Sequence, residues 1–163
     1  MTAAIDILDD LHWRALIAQS TGATWNGRDL FATPLEVTGE GPVTGIVVHL
    51  SSKQNTVSGV VRPPDGKVES DGAVLIFPED RGRWREPGIS AVLFRSLDVP
   101  ATGAFTTQNL IPGEYFIAAV PLDDRHRGLD IEFLDLLAPK ATRITVDESG
   151  AVTVDLRLTD VRR

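Results

Sequence analysis

The arch segment Thr102–Val120, TGAFTTQNLIPGEYFIAAV, constrains the fold more than any other part of the chain. Phe105 and Thr107 alternate with polar neighbours, which is typical of a strand with one buried face. Pro112 and Gly113 then interrupt the extended run, because proline lacks a backbone N–H and glycine tolerates positive φ. The strand that follows is apolar on both faces, with Tyr115, Ile117 and Ala119 on one and Phe116, Ala118 and Val120 on the other. The segment therefore predicts a β-arch that leads into the central strand of a sandwich.

Composition predicts an ordinary soluble globular protein, because 42% of the 163 residues are hydrophobic. This length suffices for one hydrophobic core, or for one core plus a partial second. The net charge of −7 argues against a nucleic-acid partner, which requires a basic surface to bind phosphates. Cysteine is absent from the sequence, so disulfides, thiolate metal sites and a cysteine nucleophile are excluded.

The sequence carries no sign of membrane insertion or export. No apolar run is long enough to cross a bilayer as a helix, so we expect no membrane span. The N-terminal residues MTAAIDILDDLHW are acidic and lack the order of a secretory signal, which is basic and then apolar. On these residues alone the chain is predicted to be cytoplasmic.

The sequence pattern of residues 1–54 predicts a partial β unit. Ala3–Leu11 favours a short helical turn, and Trp13–Gln19 has a strand-like pattern. Loop-forming residues surround Trp25, and together with Trp13 this side chain is expected to cover the unit. The remaining pattern predicts a hairpin, with Leu35 and Val37 in its first strand and Ile46, Val48 and Leu50 in its second.

Residues 55–160 predict seven strands, which is a complete count for a β-sandwich. The predicted strands are Val57–Val61, Val74–Phe77, Ala91–Ser96, the two strands of the arch segment, Ala141–Val146 and Val152–Leu158. The last two are expected to form a hairpin across Asp147–Gly150. One short helix is predicted near residues 130–138, because its acidic start suits the positive end of a helix dipole. The predicted fold class is all-β, a seven-stranded antiparallel or mixed sandwich of Greek-key type.

An internal similarity links the two parts of the chain. Residues 35–50 and 144–158 share the same order of alternating strand residues, a glycine turn and a second alternating run. We therefore interpret residues 1–54 as the closing strands of a preceding domain of similar fold. The alternative is that any two terminal hairpins share this pattern. An unpaired strand edge in a partial unit would favour self-association.

Turn and core residues between positions 55 and 158 follow a distinctive order. The most specific parts are Gly103-x-Phe105 and Leu110-x-Pro112-Gly113-x-Tyr115, preceded by Val57-Ser58-Gly59-Val60-Val61, Pro64-Asp65-Gly66 and Val74–Pro78. Together they resemble the carboxypeptidase regulatory-like domain. That family has a transthyretin-like, or prealbumin-like, sandwich that is often grouped with carbohydrate-binding-like folds. Residues 131–146 and Trp84 resemble a variety of it from large multidomain exported bacterial proteins.

This resemblance implies a domain without a peptidase site of its own and a location outside the cytoplasm, periplasmic or secreted. One position departs from the family pattern. Members commonly carry an aspartate three residues before the first glycine of the Gly-x-Phe motif, whereas this chain has Pro100 there and Asp98 two residues further back. A turn or ion role for that aspartate is therefore not implied.

Motifs for catalysis and metal binding are missing. His12, His49 and His126 are scattered, without the spacing of zinc ligands. His126 lies among acidic residues in Asp123–Arg127, but alternating charges in a loop are typical of a solvated surface. No Gly-x-Ser-x-Gly nucleophile motif occurs, while a pair of glycosidase carboxylates has no recognisable spacing. We therefore expect no enzyme activity, no metal and no cofactor.

The candidate ligand surface is Asp80–Glu86. If this segment were extended, Arg81, Arg83 and Arg85 would point to one side and Trp84 to the other. An aromatic ring beside cationic groups suits sugars, which stack on aromatics and accept hydrogen bonds from arginine. The favoured alternative is that Trp84 covers the edge of the sandwich while the arginines pair with nearby carboxylates.

Three functional hypotheses follow from these features. The first is a non-catalytic structural or interaction domain of a larger, exported protein, whose partners are its other domains. The second is a carbohydrate-binding module that uses the Trp84 segment and binds a glycan. The third is an accessory domain of a metallocarboxypeptidase.

Overall fold

A computed structural model of the chain describes residues 20–30, 35–36, 42–51, 53–62, 72–85 and 93–161. The chain divides into two compact units, Met1–Lys53 and Gln54–Arg163. The sequence-based boundary between residues 54 and 55 lies one residue away from this division. That the first unit is the closing part of a similar domain stays a prediction.

The first unit contains a three-stranded antiparallel sheet. Its strands are β1 (Ser20–Trp25), β2 (Arg28–Asp29) and β3 (Ile46–Leu50), in the order β2-β1-β3. Asn26 and Gly27 have φ values of 51° and 78°, which suits the tight turn between β1 and β2. The indole Nε1 of Trp25 donates a hydrogen bond to the Thr44 carbonyl at 2.9 Å.

Two expectations for this unit are wrong. Ser20–Trp25 form a strand and not a loop, because they pair with β3 and, at Thr24 and Trp25, also with β2. The partner of β3 is β1, with Thr24 opposite Val47, while Leu35 and Glu36 lie outside any strand. The predicted elements at Ala3–Leu11 and Trp13–Gln19, and the turn after Val37, lie outside the described residues.

In its described residues, the second unit contains seven strands and one short α-helix. They are β4 (Asn55–Arg62), β5 (Gly72–Pro78), β6 (Arg95–Val99), β7 (Ala104–Gln108), β8 (Gly113–Pro121), α1 (Ile131–Leu137), β9 (Thr142–Val146) and β10 (Gly150–Arg157). One sheet has the order β10-β4-β7 and the other β6-β5-β8-β9. The pair β4–β10 is parallel and the other pairs are antiparallel. The predicted all-β, seven-stranded, mixed sandwich and its helix are confirmed.

The hydrophobic core forms two layers, one on each side of β8. Side chains from both sheets meet in the first layer, which includes Val57, Phe105, Ile117 and Leu156. The second layer lies between the outer face of the four-stranded sheet and the helical segments, and it includes Phe77, Trp84, Phe116, Phe133, Leu134 and Leu137. Strand β8 supplies alternate residues to both layers, which confirms it as a central strand that is apolar on both faces.

The arch segment connects the two sheets as predicted. Strand β7 belongs to the three-stranded sheet and β8 to the four-stranded sheet. Gly113 has the positive φ that the sequence predicts, at 159°, and Asn109, the residue after β7, is left-handed with φ of 57°. Asparagine tolerates this conformation because its short side chain can form local hydrogen bonds.

Gly103 shows why the Gly-x-Phe motif requires glycine. Its φ is 75°, and a Cβ added there would lie 2.6 Å from the Val61 carbonyl oxygen. Its N–H donates to the Pro100 carbonyl at 2.8 Å, and its own carbonyl accepts from Val61 N–H at 2.8 Å. The turn therefore closes through the backbone carbonyl of Pro100.

Two expectations for the sandwich are wrong. The closing strands do not form a hairpin, because β9 pairs with β8 and β10 pairs with β4 in the opposite sheet. The proposed similarity between two terminal hairpins is therefore not a similarity of strand pairing. The third predicted strand does not include Leu93 and Phe94, because strand β6 begins at Arg95, the residue opposite Ile76 of β5. Its predicted start at Ala91 lies outside the described residues.

Candidate functional site

The Arg81–Arg85 segment forms a 3-10 helix and not the extended strand required for a cationic strip. Asp80 starts it, since its side chain accepts a hydrogen bond from Gly82 N–H at 2.9 Å and its carbonyl accepts from Arg83 N–H at 3.1 Å. The preceding Pro78 is the last residue of β5. The helical turn places alternate residues on different sides, so the three arginines do not share one face.

Trp84 is part of the core. The side chain is 8% exposed, and its ring packs edge-on against Phe77 with 5.6 Å between centroids. Its Nε1 donates a hydrogen bond to the Pro78 carbonyl at 2.8 Å. A buried indole offers no open face for a sugar ring, so the geometry matches the edge-covering alternative.

The arginines around Trp84 have separate surroundings. Arg81 donates to Asp135 on α1 at 2.7 Å, and its guanidinium lies 5.4 Å from the centre of the Trp84 ring. Arg83 lies 3.9 Å from the Asp80 carboxylate, while Arg85 is exposed. These contacts attach the 3-10 helix to α1 on one side and leave Arg83 beside a cleft on the other. A ligand-binding role for the four side chains stays a prediction.

A cleft of about 210 Å³ lies where β5 ends and β8 begins. We call it the Arg83 cleft, and it is lined by Pro78, Asp80, Arg83, Leu93, Pro112, Gly113, Glu114 and Tyr115. The charged groups are one guanidinium and two carboxylates. Glu114 already accepts a hydrogen bond from Thr145 Oγ1 on β9 at 3.0 Å. The cleft can therefore offer a hydrogen-bond donor and acceptors beside the apolar surfaces of proline, leucine and tyrosine.

Tyr115 forms the buried side of this cleft. Its hydroxyl donates a hydrogen bond to the Ile111 carbonyl at 2.8 Å, which fastens β8 to the arch. Burial raises the pKa of Tyr115 to about 12, and the positive charges of Arg95 and Arg83 oppose that rise. At neutral pH the side chain is therefore a neutral phenol whose proton is used in the hydrogen bond to the Ile111 carbonyl.

The charged segment before α1 forms a 3-10 helix, Leu122–Arg127, and not the expected loop, and its side chains form a network of ion pairs. Arg125 donates to Asp98 at 2.9 Å and to His126 Nε2 at 2.9 Å. Arg127 lies 3.1 Å from Asp130 and 3.6 Å from the buried Asp124. Among the described residues, no three histidine, aspartate or glutamate side chains form a group that could hold a metal ion.

Asp130 begins α1 and joins this network to the core. Its Oδ1 accepts a hydrogen bond from Phe133 N–H at 3.2 Å, which is the standard bond of a helix N-cap. That bond, together with Arg127, holds the pKa of Asp130 below its usual value. Arg127 also stacks on the Phe133 ring at 4.2 Å from its centre. Sequence reasoning identified the acidic start of the helix but not this stacked arginine.

Asn55 is a further polar residue that sequence reasoning missed. It is 6% exposed. Its Nδ2 donates to the carbonyls of Leu110 and Asp147, each at 2.8 Å, and its Oδ1 accepts from Leu110 N–H at 3.0 Å. One side chain therefore joins the start of β4, the arch and the β9–β10 link. An asparagine at the start of an apolar strand is the signal that could have indicated it.

Comparisons with known proteins found structural likeness only. No protein-family model and no curated protein sequence matches this chain. One similar solved structure is the dioxygenase domain of a dioxygenase and carbohydrate-binding protein fusion from the cellulolytic bacterium Streptomyces sp. SirexAA-E. It has 15% identity and a TM-score of 0.39, with 66% of this chain and 80% of that chain covered.

Two other similar structures come from Bacillus. The Bacillus anthracis TIE protein has 14% identity and a TM-score of 0.38, with 71% of this chain and 18% of that chain covered. BcpA, the major pilin subunit of Bacillus cereus, has 14% identity and a TM-score of 0.35, with 68% of this chain and 31% of that chain covered. This chain thus spans less than a third of each of these two proteins. The regulatory-like family assignment stays a prediction beyond the β-sandwich itself.

No helix in the described part of the chain is long and apolar enough to span a membrane.

Proposed function

We propose that this chain is a non-catalytic β-sandwich module with a structural role in a larger, exported protein. The observation that carries the proposal is the use of its buried polar side chains. Asn55, Trp84 and Tyr115 all direct their donors to backbone carbonyls in neighbouring segments. Such groups fix the positions of loops and strands, because a buried donor already bonded to the backbone is not available to a ligand.

The protonation of Tyr115 supports a structural role. A general acid or base works best with a pKa near the operating pH. Burial instead moves the pKa of Tyr115 to about 12, away from neutrality, so the hydroxyl keeps its proton and its bond to Ile111. The tyrosine that lines the Arg83 cleft therefore links β8 to the arch.

The two alternatives have weaker support. Carbohydrate binding would use the Arg83 cleft, because Trp84 is buried and cannot stack on a sugar. Arg83 would donate hydrogen bonds to the sugar, and the carboxylates of the cleft would accept them. An accessory role beside a metallocarboxypeptidase rests on the family resemblance alone, as does the location outside the cytoplasm.

The structural role is tested by replacing the module in its host protein. Residues 54–161 are exchanged for an unrelated β-sandwich whose first and last strands are also parallel neighbours. We expect the exchange to retain the host phenotype that deletion of these residues abolishes, because a spacer is defined by its length and stiffness and not by its surface. Loss of the phenotype by a well-folded, normally expressed exchange protein would contradict the structural role.

A second experiment separates the alternatives. The purified full chain and its Arg83→Ala variant are tested on a glycan array and with peptide, ester and glycoside reporter substrates. We expect neither binding nor turnover. Glycan binding that Arg83→Ala abolishes would establish the carbohydrate-binding alternative, and turnover by the purified chain would contradict the non-catalytic role.

A further inference from the structure

The first and last strands of the sandwich unit are neighbours that run in the same direction. Strands β4 and β10 pair in register from Asn55 opposite Gly150 to Arg62 opposite Arg157. The chain therefore enters the unit at one end of this strand pair and leaves it at the opposite end. A force that pulls the entry and the exit apart acts along both strands, so it loads their ladder of hydrogen bonds simultaneously.

The exit of β10 is anchored to both sheets. Leu158 N–H donates to the Arg62 carbonyl at 3.1 Å, which continues the ladder beyond β10. Thr159 N–H donates to the Ala119 carbonyl on β8 at 2.8 Å, and Leu158 forms a parallel bridge with Ala119. Tension at the exit is thereby shared between the sheet that contains β4 and the opposite sheet.

Packing in the hydrophobic core also stabilises the strand pair. Val57 and Val61 on β4 and Leu156 on β10 are buried in the core between the sheets, so sliding the strands past each other exposes apolar side chains to water. A glycine at position 59 allows the strands to approach closely, since an added Cβ would lie 1.8 Å from the Val154 carbonyl oxygen.

We propose that the unit Gln54–Arg163 bears tension between its two ends, with β4 and β10 as the strand pair loaded in shear. The proposal rests on the structural role proposed above and specifies what that role is. An antiparallel arrangement of the same strands would place entry and exit at one end, where pulling opens hydrogen bonds one after another. The parallel arrangement makes many bonds break together, which raises the barrier that controls the rate of forced unfolding.

Forced unfolding of single molecules in two pulling directions tests the proposal. The chain has no cysteine, so pairs of introduced cysteines provide unique attachment points on the full chain. The variant Gln54→Cys/Asp160→Cys pulls β4 and β10 in shear. The variant Gln54→Cys/Ser149→Cys pulls the same strands apart from their shared beginning, where Asn55 faces Gly150. All three substituted side chains are exposed.

We expect a severalfold higher rupture force in the shear direction. The rupture should be one step whose gain in contour length is roughly 3.5 Å for each residue between the attachments, less the initial separation. Equal thermal midpoints of the two variants show that the direction of force, and not stability, makes the difference. Equal or lower force in the shear direction would overturn the tension-bearing role. That outcome would leave the replacement experiment in the host protein to decide the structural role separately.

Discussion

The side-chain amide of Asn55 pairs with both backbone groups of Leu110, donating to the carbonyl at 2.8 Å and accepting from the N–H at 3.0 Å. This pairing reproduces the contact of two adjacent strands at a place where the arch turns away from the sheet. The amide also donates to Asp147, so the same residue holds the β9–β10 link. Three segments that are distant in sequence therefore depend on one buried side chain.

Replacing the Asn55 amide should lower the stability of the fold. Asn55→Ala removes three hydrogen bonds and leaves buried backbone groups without partners, so we expect the free energy of unfolding to fall by roughly 2–4 kcal/mol. Urea unfolding followed by circular dichroism measures it. The exposed neighbour provides a control, since Gln54→Ala should change the value by less than about 0.5 kcal/mol. Similar stability of Asn55→Ala and Gln54→Ala would contradict the joining role.

The raised pKa of Tyr115 predicts a loss of stability at high pH. Its pKa is about 12 in the folded chain and about 10 when exposed, so the unfolded state releases the proton first. The stabilising contribution is complete below pH 10 and declines as the pH rises toward 12. Because Tyr115 is the single tyrosine of the chain, phenolate absorbance reports it directly. Folded-state titration near pH 10 would show that the hydroxyl is accessible.

The loss of folding stability between pH 10 and pH 12 should be smaller in Tyr115→Phe than in wild type. This variant retains the ring but lacks the hydrogen bond to Ile111, so at neutral pH we expect it to be less stable than wild type by about 1 kcal/mol. Urea unfolding at pH 7 and pH 11 provides both comparisons. If Tyr115→Phe loses as much stability between pH 7 and pH 11 as wild type does, other groups cause the alkaline loss of stability.

Trp84 should stabilise the fold through packing in the core. Trp84→Ala removes a buried ring that contacts Phe77 and a hydrogen bond to Pro78, and we expect a fall of about 3–5 kcal/mol in the free energy of unfolding. Arg85→Ala, on the exposed side of the same 3-10 helix, should have little effect and serves as the matched control. Retention of full stability by Trp84→Ala would indicate an exposed ring available to ligands.

Gly59 should not tolerate a side chain. In Gly59→Ala the new Cβ meets the Val154 carbonyl at 1.8 Å and the Phe105 ring at 3.0 Å, so β10 must move away from β4. We expect a loss of about 3 kcal/mol or more. Gly128→Ala is the matched control, because Gly128 has φ of −62° and an added Cβ there makes only an ordinary contact with Leu75. Equal thermal midpoints for the two variants would contradict the close approach of the strands.

Asp130 should stabilise the start of α1 more strongly while it is ionised. Its pKa is held below the usual value by the Phe133 N–H and by Arg127, so this contribution is present above about pH 4 and is lost as the pH falls through the lowered pKa. Asp130→Asn retains an N-cap acceptor without the charge. We expect the stability deficit of this variant relative to wild type at pH 7 to shrink as the pH falls through the lowered pKa of Asp130, as measured by urea unfolding at a series of pH values down to pH 2. A deficit independent of pH would exclude the charge as its cause.

The sequence by itself determined the elements that depend on local chemistry and short patterns. Alternation of apolar residues indicated β8 as a doubly buried strand, and Pro112 with Gly113 indicated the break before it. The acidic start before Phe133 indicated α1. These features are decided within a few residues, because side-chain periodicity and backbone freedom act locally.

Tertiary structure decided which strands pair and where polar side chains lie. Strand β10 has a pattern suited to a hairpin with β9, yet it pairs with β4, about 95 positions earlier in the chain. Alternation specifies one buried face of a strand and not its neighbour, so the hairpin was an equally good interpretation. The same limit applied to the segment Asp80–Glu86, which was expected to be extended, whereas its residues Arg81–Arg85 form a 3-10 helix with a buried Trp84. Side-chain burial and strand partners depend on residues distant in sequence, and only the folded chain brings those residues together.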